Sequence, residues 1–300
     1  MRLGAWTGLS LAVGLFALSG TAAFAQACPN RGELDEAYCD ADRDLVADVP
    51  AKTRDPSVLV FAYSPVEDPA VYENAFKPFT EYLAKCTGKR VVYYPVQSNS
   101  AEIEAMRSGR LHVAGFSTGP VGFAVNMAGA IPFAAKGTEK GVEGYNLVVV
   151  VKKDSPFQKL SDLKGKRVAH TAPSSNSGNL APIALFPAQG LTPNTDYKPL
   201  WSGGHDKSVL GVGTGDYDAA AVASDVFERM GARGTIKVDD FRIIYKSAQI
   251  VNSPMAYLTD LPEDLKARIR DAVLNLATKD KAAFDKIYEG KQGPLVAVDN

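Results

Sequence analysis

The chain contains few histidine, cysteine and tryptophan residues: three, three and two among 300. Three scattered histidines, with no H-E-x-x-H or C-x-x-C spacing, argue against a metal site built on histidine or cysteine. The only glycine-rich match, GVGTG at 211–215, comes at the end of a predicted helix, where glycines commonly terminate helices, so we expect no cofactor. An excess of one charge is also missing, because 33 basic residues stand against 34 acidic ones. This balance argues against a nucleic-acid surface and a polybasic membrane anchor.

After residue 25 the sequence has no hydrophobic run long enough to span a bilayer. The first 25 residues differ, because Arg2 precedes a long uncharged stretch that ends in the small-x-small pattern at 23–25. This arrangement predicts a signal peptide cleaved after Ala25 and an exported mature protein. A membrane-spanning helix is one alternative, and a lipoprotein anchored through Cys28 is another, although Gln26 fits a lipobox poorly.

Residues 26–56 form an N-terminal extension that holds two of the three cysteines. In an oxidising compartment Cys28 and Cys39 can close a small disulfide loop, which leaves Cys86 alone. The alternative is three free buried thiols, which the expected export disfavours.

An acidic stretch follows Cys39, with carboxylates at the spacing of a calcium loop. Leu45 stands at its sixth position, where such loops have glycine, and no glutamate closes it at the twelfth. A solvated acidic linker is therefore the favoured interpretation, with calcium as the alternative. The candidate ligands are Asp40, Asp42, Asp44 and Asp48.

From Ser57 onward, short runs rich in β-forming residues alternate with segments of helical periodicity. Strands are predicted at 58–63, 90–96 and 111–116, and the alternation restarts with a long β run at 145–153. Such alternation predicts crossover units, parallel sheets and two α/β lobes. Ligands of such sheets bind beyond the carboxyl ends of the strands, so we expect the site in a cleft between the lobes.

Small polar residues cluster where several predicted strands end and helices begin. They are the residues at 97–99, Ser117 and Thr118, 174–177, 202–205, and Ser224 and Asp225. Hydroxyl groups and free N–H groups at helix starts together make an anion site that needs no lysine or arginine. Simple helix capping is the alternative, but the segment PSSNSG has more such residues than one cap requires.

The segment GFSTG at 115–119 matches the G-x-S-x-G nucleophile elbow and lies between a predicted strand and a predicted helix. It would make Ser117 the nucleophile of a secreted serine hydrolase. The histidine expected late in such a chain is missing, since only His170 and His205 follow Ser117. We therefore keep hydrolysis as the alternative function and expect a protein that is not an enzyme.

Three segments occur in a characteristic order: SNSAEIEAMRSGRLHVAGFSTGP, APSSNSGNLAP and GGHDKSVLGVGTGDYDAAAV. Together they resemble the periplasmic substrate-binding proteins of phosphonate, phosphite and phosphate ABC importers, over residues 56–278. The resemblance implies the type II binding-protein fold, in which two α/β lobes close over the ligand about a hinge. Lobe 1 would comprise 57–146 with 251–300, and lobe 2 would comprise 147–250.

The resemblance also assigns roles on the second lobe. Ser175 and Ser177 would donate hydroxyl hydrogen bonds to the oxygens of the ligand. Asn176 stands where the family has threonine, and His205 matches the family's histidine contact. Asp225 falls where binders of 2-aminoethylphosphonate keep an acid for the ligand's amine. The second acid of those proteins is missing from the segment VNSP, so a smaller or alkyl ligand becomes possible. An acid beside an anion is unfavourable unless it accepts a P–OH proton or pairs with an amine of the ligand. We therefore expect Asp225 to set selectivity and the serine cluster to supply affinity.

On the first lobe, the resemblance places Ser117 and Thr118 opposite the serine cluster. Tyr63, at the end of the first strand, would form a wall of the cleft. The expected partners are a small phosphorus oxyanion, a membrane permease and its ATPase. We expect a monomer that carries no cofactor and binds no nucleic acid.

Overall fold

The structure is a computed structural model that describes residues 28, 30–138, 140–288 and 293–298. The predicted signal peptide and its cleavage after Ala25 lie outside the described residues. Among the residues that are described, no helix has both the length and the apolar character needed to cross a membrane.

The described segments form strands and helices that largely alternate along the chain. The strands are β1 (Val58–Tyr63), β2 (Arg90–Tyr93), β3 (Val113–Gly115), β4 (Ala130–Thr138), β5 (Gly141–Val142), β6 (Gly144–Lys152), β7 (Val168–His170), β8 (Leu200–Trp201), β9 (Ala219–Ala223), β10 (Phe241–Val251), β11 (Pro254–Leu258) and β12 (Leu295–Ala297). The helices are α1 (Ala70–Thr87), α2 (Asn99–Arg107), α3 (Thr118–Ala128), α4 (Ala181–Leu185), α5 (His205–Thr214), α6 (Ser224–Ala232), α7 (Glu263–Leu274), α8 (Leu276–Lys279) and α9 (Lys281–Tyr288).

These strands make two separate sheets. The first has the order β2-β1-β3-β11-β4-β12, with β5 paired to β4, and the second has the order β8-β7-β9-β6-β10. We call the first sheet with its helices lobe 1 and the second sheet with its helices lobe 2. The chain passes from lobe 1 to lobe 2 after β5 and returns after β10.

The expectation of purely parallel sheets is wrong. Strands β1, β2 and β3 are parallel, as are β7, β8 and β9, but the other pairings are antiparallel. The sequence did not predict β4, since its segment AIPFAAKGT is poor in β-forming residues. Pairing with the distant strands β11 and β12 makes it a strand.

Each lobe has its own apolar core. In lobe 1 the ring of Phe61 on β1 lies 5.1 Å from the ring of Phe76 and 5.0 Å from that of Phe79, both on α1. In lobe 2, β6 is buried on both faces: Leu147 and Val149 face one cluster of side chains and Val148 faces the other. A continuous apolar strand of this kind is typical of a sheet covered by helices on both sides.

Three helices follow one another after β11. Helix α7 ends at Asn275, whose side chain donates to the backbone oxygen and the carboxylate of Asp271. The short helix α8 follows, and α9 begins after Asp280. An amide that competes for the backbone in this way favours a helix end over a helix interior.

The N-terminal extension packs on the side of lobe 1. A disulfide joins Cys28 and Cys39, and Cys86 is a half-buried free thiol. Thr259 beside β11 donates to the backbone oxygens of Ala47 and Asp48. The hydrogen bonds of Thr259 therefore hold the segment at Ala47 and Asp48 against lobe 1.

Three of the four candidate calcium ligands lie together. One carboxylate oxygen from each of Asp40, Asp42 and Asp44 falls within 4.8 Å of the others. The Asp40 carboxylate accepts hydrogen bonds from the backbone N–H groups of Asp44 and Leu45, and Asp48 accepts from Ala41. The carboxylates therefore stabilise the turn of their own loop.

Candidate ligand-binding site between the lobes

A cavity of about 350 Å³ lies between the two lobes, at the ends of strands from both sheets. This volume is at the lower end of the range for small-molecule sites. Six of the eight ligand-binding candidates line it: Tyr63, Ser117, Ser175, Asn176, His205 and Asp225. The structure thus brings together side chains that are as far apart in the sequence as Tyr63 and Asp225.

The segment after β7 supplies donors from lobe 2. Ser175 caps a π-helical turn, Asn176–Leu180, and its Oγ accepts a hydrogen bond from the backbone N–H of Gly178 at 3.2 Å. Because this oxygen acts as an acceptor in the cap, the hydroxyl proton can be donated to a ligand. The neighbouring side chain of Asn176 also lines the cavity.

Ser177 and Thr118 occupy positions behind this lining. Ser177 is 1% exposed and interacts with Tyr145, whose side chain lines the cavity. Thr118 donates from its hydroxyl to the backbone oxygen of Val251, at the end of β10, at 2.8 Å. Thr118 therefore ties the start of α3 to the strand that returns to lobe 1.

His205 begins helix α5 and is 4% exposed. Its Nδ1 accepts a hydrogen bond from the backbone N–H of Ala223 at 3.1 Å, so the proton of the neutral ring is on Nε2. Burial lowers the pKa of His205 to about 4, which keeps the ring neutral near pH 7. His205 thus offers one oriented, uncharged N–H donor at the cavity.

Ser117 lies at the start of α3, directly after β3, and faces the cavity from lobe 1. Its backbone N–H donates to Ser64 Oγ at 2.9 Å, and the Ser64 hydroxyl is hydrogen-bonded to the carboxyl of Glu102. Glu102 is completely buried, and burial raises its pKa to about 8. A chain of buried hydrogen bonds therefore fixes the turn that carries Ser117.

The alternative of a serine hydrolase has no support. A nucleophilic serine needs a histidine that is free to act as its base. The rings of all three histidines have structural partners: His112 accepts from the N–H of Val60, His205 from that of Ala223, and His170 bonds to Asn179 and Tyr197. The G-x-S-x-G match is accounted for by the turn between β3 and α3.

Four basic residues that the sequence analysis did not select also line the cavity: Lys136 on β4, Arg229 on α6, Arg233 just after α6 and Lys286 on α9. Asp225, Arg229 and Arg233 recur every four residues and so share one helix face. This spacing was a signal in the sequence that could have identified them. The prediction that the site needs no lysine or arginine is therefore incomplete.

Two carboxylates of the cavity lining, Asp225 and Glu67, are paired with arginine. Arg229 donates from Nη1 to Asp225 at 2.8 Å, and from Nε and Nη2 to Glu67 at 3.2 and 2.9 Å. Arg233 Nη1 lies 2.7 Å from the other oxygen of Glu67, whose side chain is 4% exposed. Glu67 belongs to lobe 1 and the two arginines belong to lobe 2, so these ion pairs join the lobes.

The charges of this cluster stabilise one another. Burial acts to raise the pKa of Asp225, but the positive charges of Arg229 and Lys136 outweigh it and hold that pKa below its usual value. Burial lowers the pKa of Lys136 to about 8, against the opposing effect of Asp225. Asp225 thus stays ionised beside its cationic neighbours.

Further contacts between the lobes surround the cavity. The backbone N–H of His205 donates to the oxygen of Val66 at 3.1 Å, and that of Asp68 donates to the Asp206 carboxylate at 3.2 Å. On the other side, Asn99 donates to Ser174 Oγ at 3.1 Å. The lobes therefore contact each other on both sides of the cavity.

Two curated relatives resemble this chain over most of its described length. The phosphonates-binding periplasmic protein of Escherichia coli (strain K12) is 27% identical over 216 residues, covering 70% of this chain and 64% of that protein. The phosphate-import protein PhnD of Mycolicibacterium smegmatis is 28% identical over 214 residues, covering 67% of this chain and 66% of that protein. The matched part thus spans just under two thirds of the length of each relative.

Two solved structures share the fold. A binding protein component of an ABC phosphonate transporter from Pseudomonas aeruginosa has a TM-score of 0.74 and 23% identity, covering 82% of this chain and 83% of that chain. PhnD1 from Prochlorococcus marinus (MIT 9301), in complex with methylphosphonate, has a TM-score of 0.74 and 22% identity, covering 82% and 94%. The predicted two-lobed α/β fold of type II periplasmic binding proteins is thereby confirmed.

A protein-family model matches most of the chain. Residues 61–299 match the family model described as "ABC transporter, phosphonate, periplasmic substrate-binding protein". This range includes every residue named above as lining the cavity and all strands of both sheets except the first three residues of β1. The chain therefore belongs to the family of periplasmic substrate-binding proteins of phosphonate ABC transporters.

Proposed function

We propose that this protein is the non-catalytic solute-binding component of an ABC importer, and that it captures a small phosphorus oxyanion between its lobes. The observation that carries the proposal is the convergence of uncharged donors from both lobes on one small cavity. Ser117 faces it from lobe 1, and Ser175, Asn176 and His205 face it from lobe 2. Such donors hold an oxyanion by charge-assisted hydrogen bonds, which are about twice as strong as neutral ones.

The charge of the cavity suits the same ligand class. Ser117 and Ser175 lie at or beside helix starts, where backbone N–H groups favour negative charge. Arg229, Arg233 and Lys136 add basic side chains to the same lining, and basic side chains favour an anionic ligand. Phosphate, phosphite and alkylphosphonates all fit this description.

Closure of the lobes supplies the mechanism. We take the moving units to be residues 57–146 with 251–300, and 147–250, with the hinge where the chain passes between the sheets. A ligand that contacts both lobes binds the closed form better than the open form, and this difference in affinity shifts the population towards closure. The closed, ligand-bound form would then deliver its ligand to a membrane permease and its ATPase.

The same proposal covers location and assembly. The predicted signal peptide, cleaved after Ala25, would send a monomeric mature protein to the periplasm, where Cys28 and Cys39 can form their disulfide. The names of the E. coli and M. smegmatis relatives support a role in import of phosphonate or phosphate.

Isothermal titration calorimetry tests the proposal with phosphate, phosphite and methylphosphonate. We expect one site per chain and a loss of affinity of about tenfold or more in Ser175→Ala, because one charge-assisted hydrogen bond is removed. Ser100→Ala, at an exposed serine on α2, is the matched control and should bind as the wild type does. Absence of binding for all three ligands would refute the proposal.

A further inference from the structure

Asp225 is the acidic side chain of lobe 2 in the cavity lining, and it already has a cationic partner. Arg229 lies one helical turn further along α6 and donates to the Asp225 carboxylate at 2.8 Å. The two side chains are 26% and 19% exposed, so the pair is largely shielded from water. Arg229 therefore already provides the Asp225 carboxylate with an opposite charge and a hydrogen-bond donor.

Arg229 is held in place from the opposite lobe. Its Nε and Nη2 both donate to Glu67, so all three guanidinium nitrogens point at carboxylates. Arg233 donates to the second oxygen of Glu67 and fixes the orientation of that carboxylate. While the lobes contact each other, Arg229 therefore cannot rotate away from Asp225 without breaking its bonds to Glu67.

A ligand with a cationic group would meet an unfavourable cavity. To be desolvated there, an ammonium group needs a carboxylate that can accept its hydrogen bonds and neutralise its charge. Glu67 and Asp225 are paired with arginine, and Lys136 adds a further cation nearby. The third carboxylate of the lining, Asp285, is paired with Lys281. The ammonium would face like charges instead, and like-charge contacts in a buried site cost several kcal/mol.

We propose that Arg229 is a specificity-determining residue. Its guanidinium pairs with the Asp225 carboxylate and so restricts the cavity to phosphorus oxyanions whose substituent carries no amino group. This inference rests on the proposed function and narrows its ligand class. Asp225 was expected to set selectivity by itself; here it affects selectivity by positioning the guanidinium of Arg229. Arg229 discriminates by repulsion, in addition to any hydrogen bond that it gives an anionic or neutral ligand.

A pair of ligands of equal size tests the proposal directly. The compounds n-propylphosphonate and 2-aminoethylphosphonate have the same number of non-hydrogen atoms, and they differ by a terminal methyl or ammonium group. Calorimetry on the wild-type protein should give an affinity about tenfold or more higher for n-propylphosphonate. Equal affinities, or tighter binding of the amino compound, would overturn the proposal.

The variant Arg229→Met should reverse this preference. It removes the guanidinium and frees Asp225 to accept from an ammonium group, so the ratio of the two affinities should fall by about tenfold or more. Arg233→Met is the matched control, because it also removes an ion pair with Glu67 but leaves Arg229 and Asp225 paired. The control can lower both affinities through weaker closure, but it should change their ratio much less than Arg229→Met does, because Asp225 stays paired.

The outcomes separate this inference from the function on which it rests. Failure of phosphate and both phosphonates to bind would refute the proposed function. Binding of phosphate and n-propylphosphonate, with an unchanged ratio in Arg229→Met, would leave the function intact and refute the role of Arg229. If Arg229→Met does not fold, the comparison of the two ligands on the wild-type protein still decides whether the cavity rejects an amine.

Discussion

Adding one methyl group at Gly119 should prevent the lobes from closing. Gly119 lies in the first turn of α3, on lobe 1, and faces the serine segment of lobe 2. A Cβ atom there would lie 2.1 Å from the backbone oxygen of Ser174 and 2.8 Å from the backbone nitrogen of Asn176. Both neighbours are backbone atoms, so no change of side-chain rotamer can relieve the contact.

The size of the effect follows from this geometry. A carbon–oxygen contact needs about 3.3 Å, so the two backbones must separate by about 1 Å in Gly119→Ala. Ser175 and Asn176 belong to the segment that moves, and a hydrogen bond lengthened by 1 Å is effectively lost. One lost charge-assisted hydrogen bond costs about 1.5–3 kcal/mol, which is a decrease in affinity of about 10- to 150-fold.

The same helix provides the control. A Cβ atom at Gly122 has no neighbour within 4 Å, and this position is exposed. Gly122→Ala should therefore bind phosphate as the wild type does and be about 0.5–1 kcal/mol more stable, because alanine favours the helix. Calorimetry gives the affinities, and small-angle scattering shows whether the ligand still compacts Gly119→Ala. Wild-type affinity and compaction in Gly119→Ala would refute the assignment of this contact to closure.

Three further predictions concern buried groups. Glu67→Gln removes the negative charge that pairs with Arg229 and Arg233, so we expect a more open unliganded form by small-angle scattering or an affinity about tenfold lower; no change in either would contradict a role in closure. His205→Ala removes the Nε2 donor and should lower phosphate affinity by about tenfold or more in calorimetry, whereas an unchanged affinity would show that the ring does not contact the ligand. Because burial raises the pKa of Glu102 from 4.5 to about 8, the folded protein binds more protons than the unfolded chain between these values. Stability should then fall by about 1.4 kcal/mol per pH unit across that range. Denaturant unfolding of Glu102→Gln should show a flatter dependence, and an identical slope would contradict a buried neutral acid.

The sequence was informative about the site wherever its features are local. Strand ends followed by capping residues depend on neighbouring residues only, and the segments around Ser117 and Ser175 therefore lie at the cavity as expected. His205 was identified in the same way, from its place at a helix start. The N-cap preference and the position of ligands at strand ends are properties of short segments, which a single sequence displays.

The basic residues escaped prediction because long-range contacts place them. Arg229 and Glu67 are 162 residues apart in the chain, and Glu67 comes from a loop on the other lobe. Lys136 faces the cavity because its strand pairs with β11 and β12, which follow it by more than 100 residues. Helical spacing placed Asp225, Arg229 and Arg233 on one face, but it could not show which element that face would meet.

Specificity and closure depend on the same ion pairs, and this has a consequence for the order of events. With the lobes apart, Glu67 is separated from Arg229 and Arg233, and all three charges are hydrated. Arg229 is then held by Asp225 alone, so a ligand first meets lobe 2 with its donors Ser175 and His205 in place but with the guanidinium less constrained. Closure brings Glu67 to the two arginines, removes water from the cluster and fixes Arg229 against Asp225. Discrimination against a cationic substituent should therefore be strongest in the closed state, which is the form that a permease would receive.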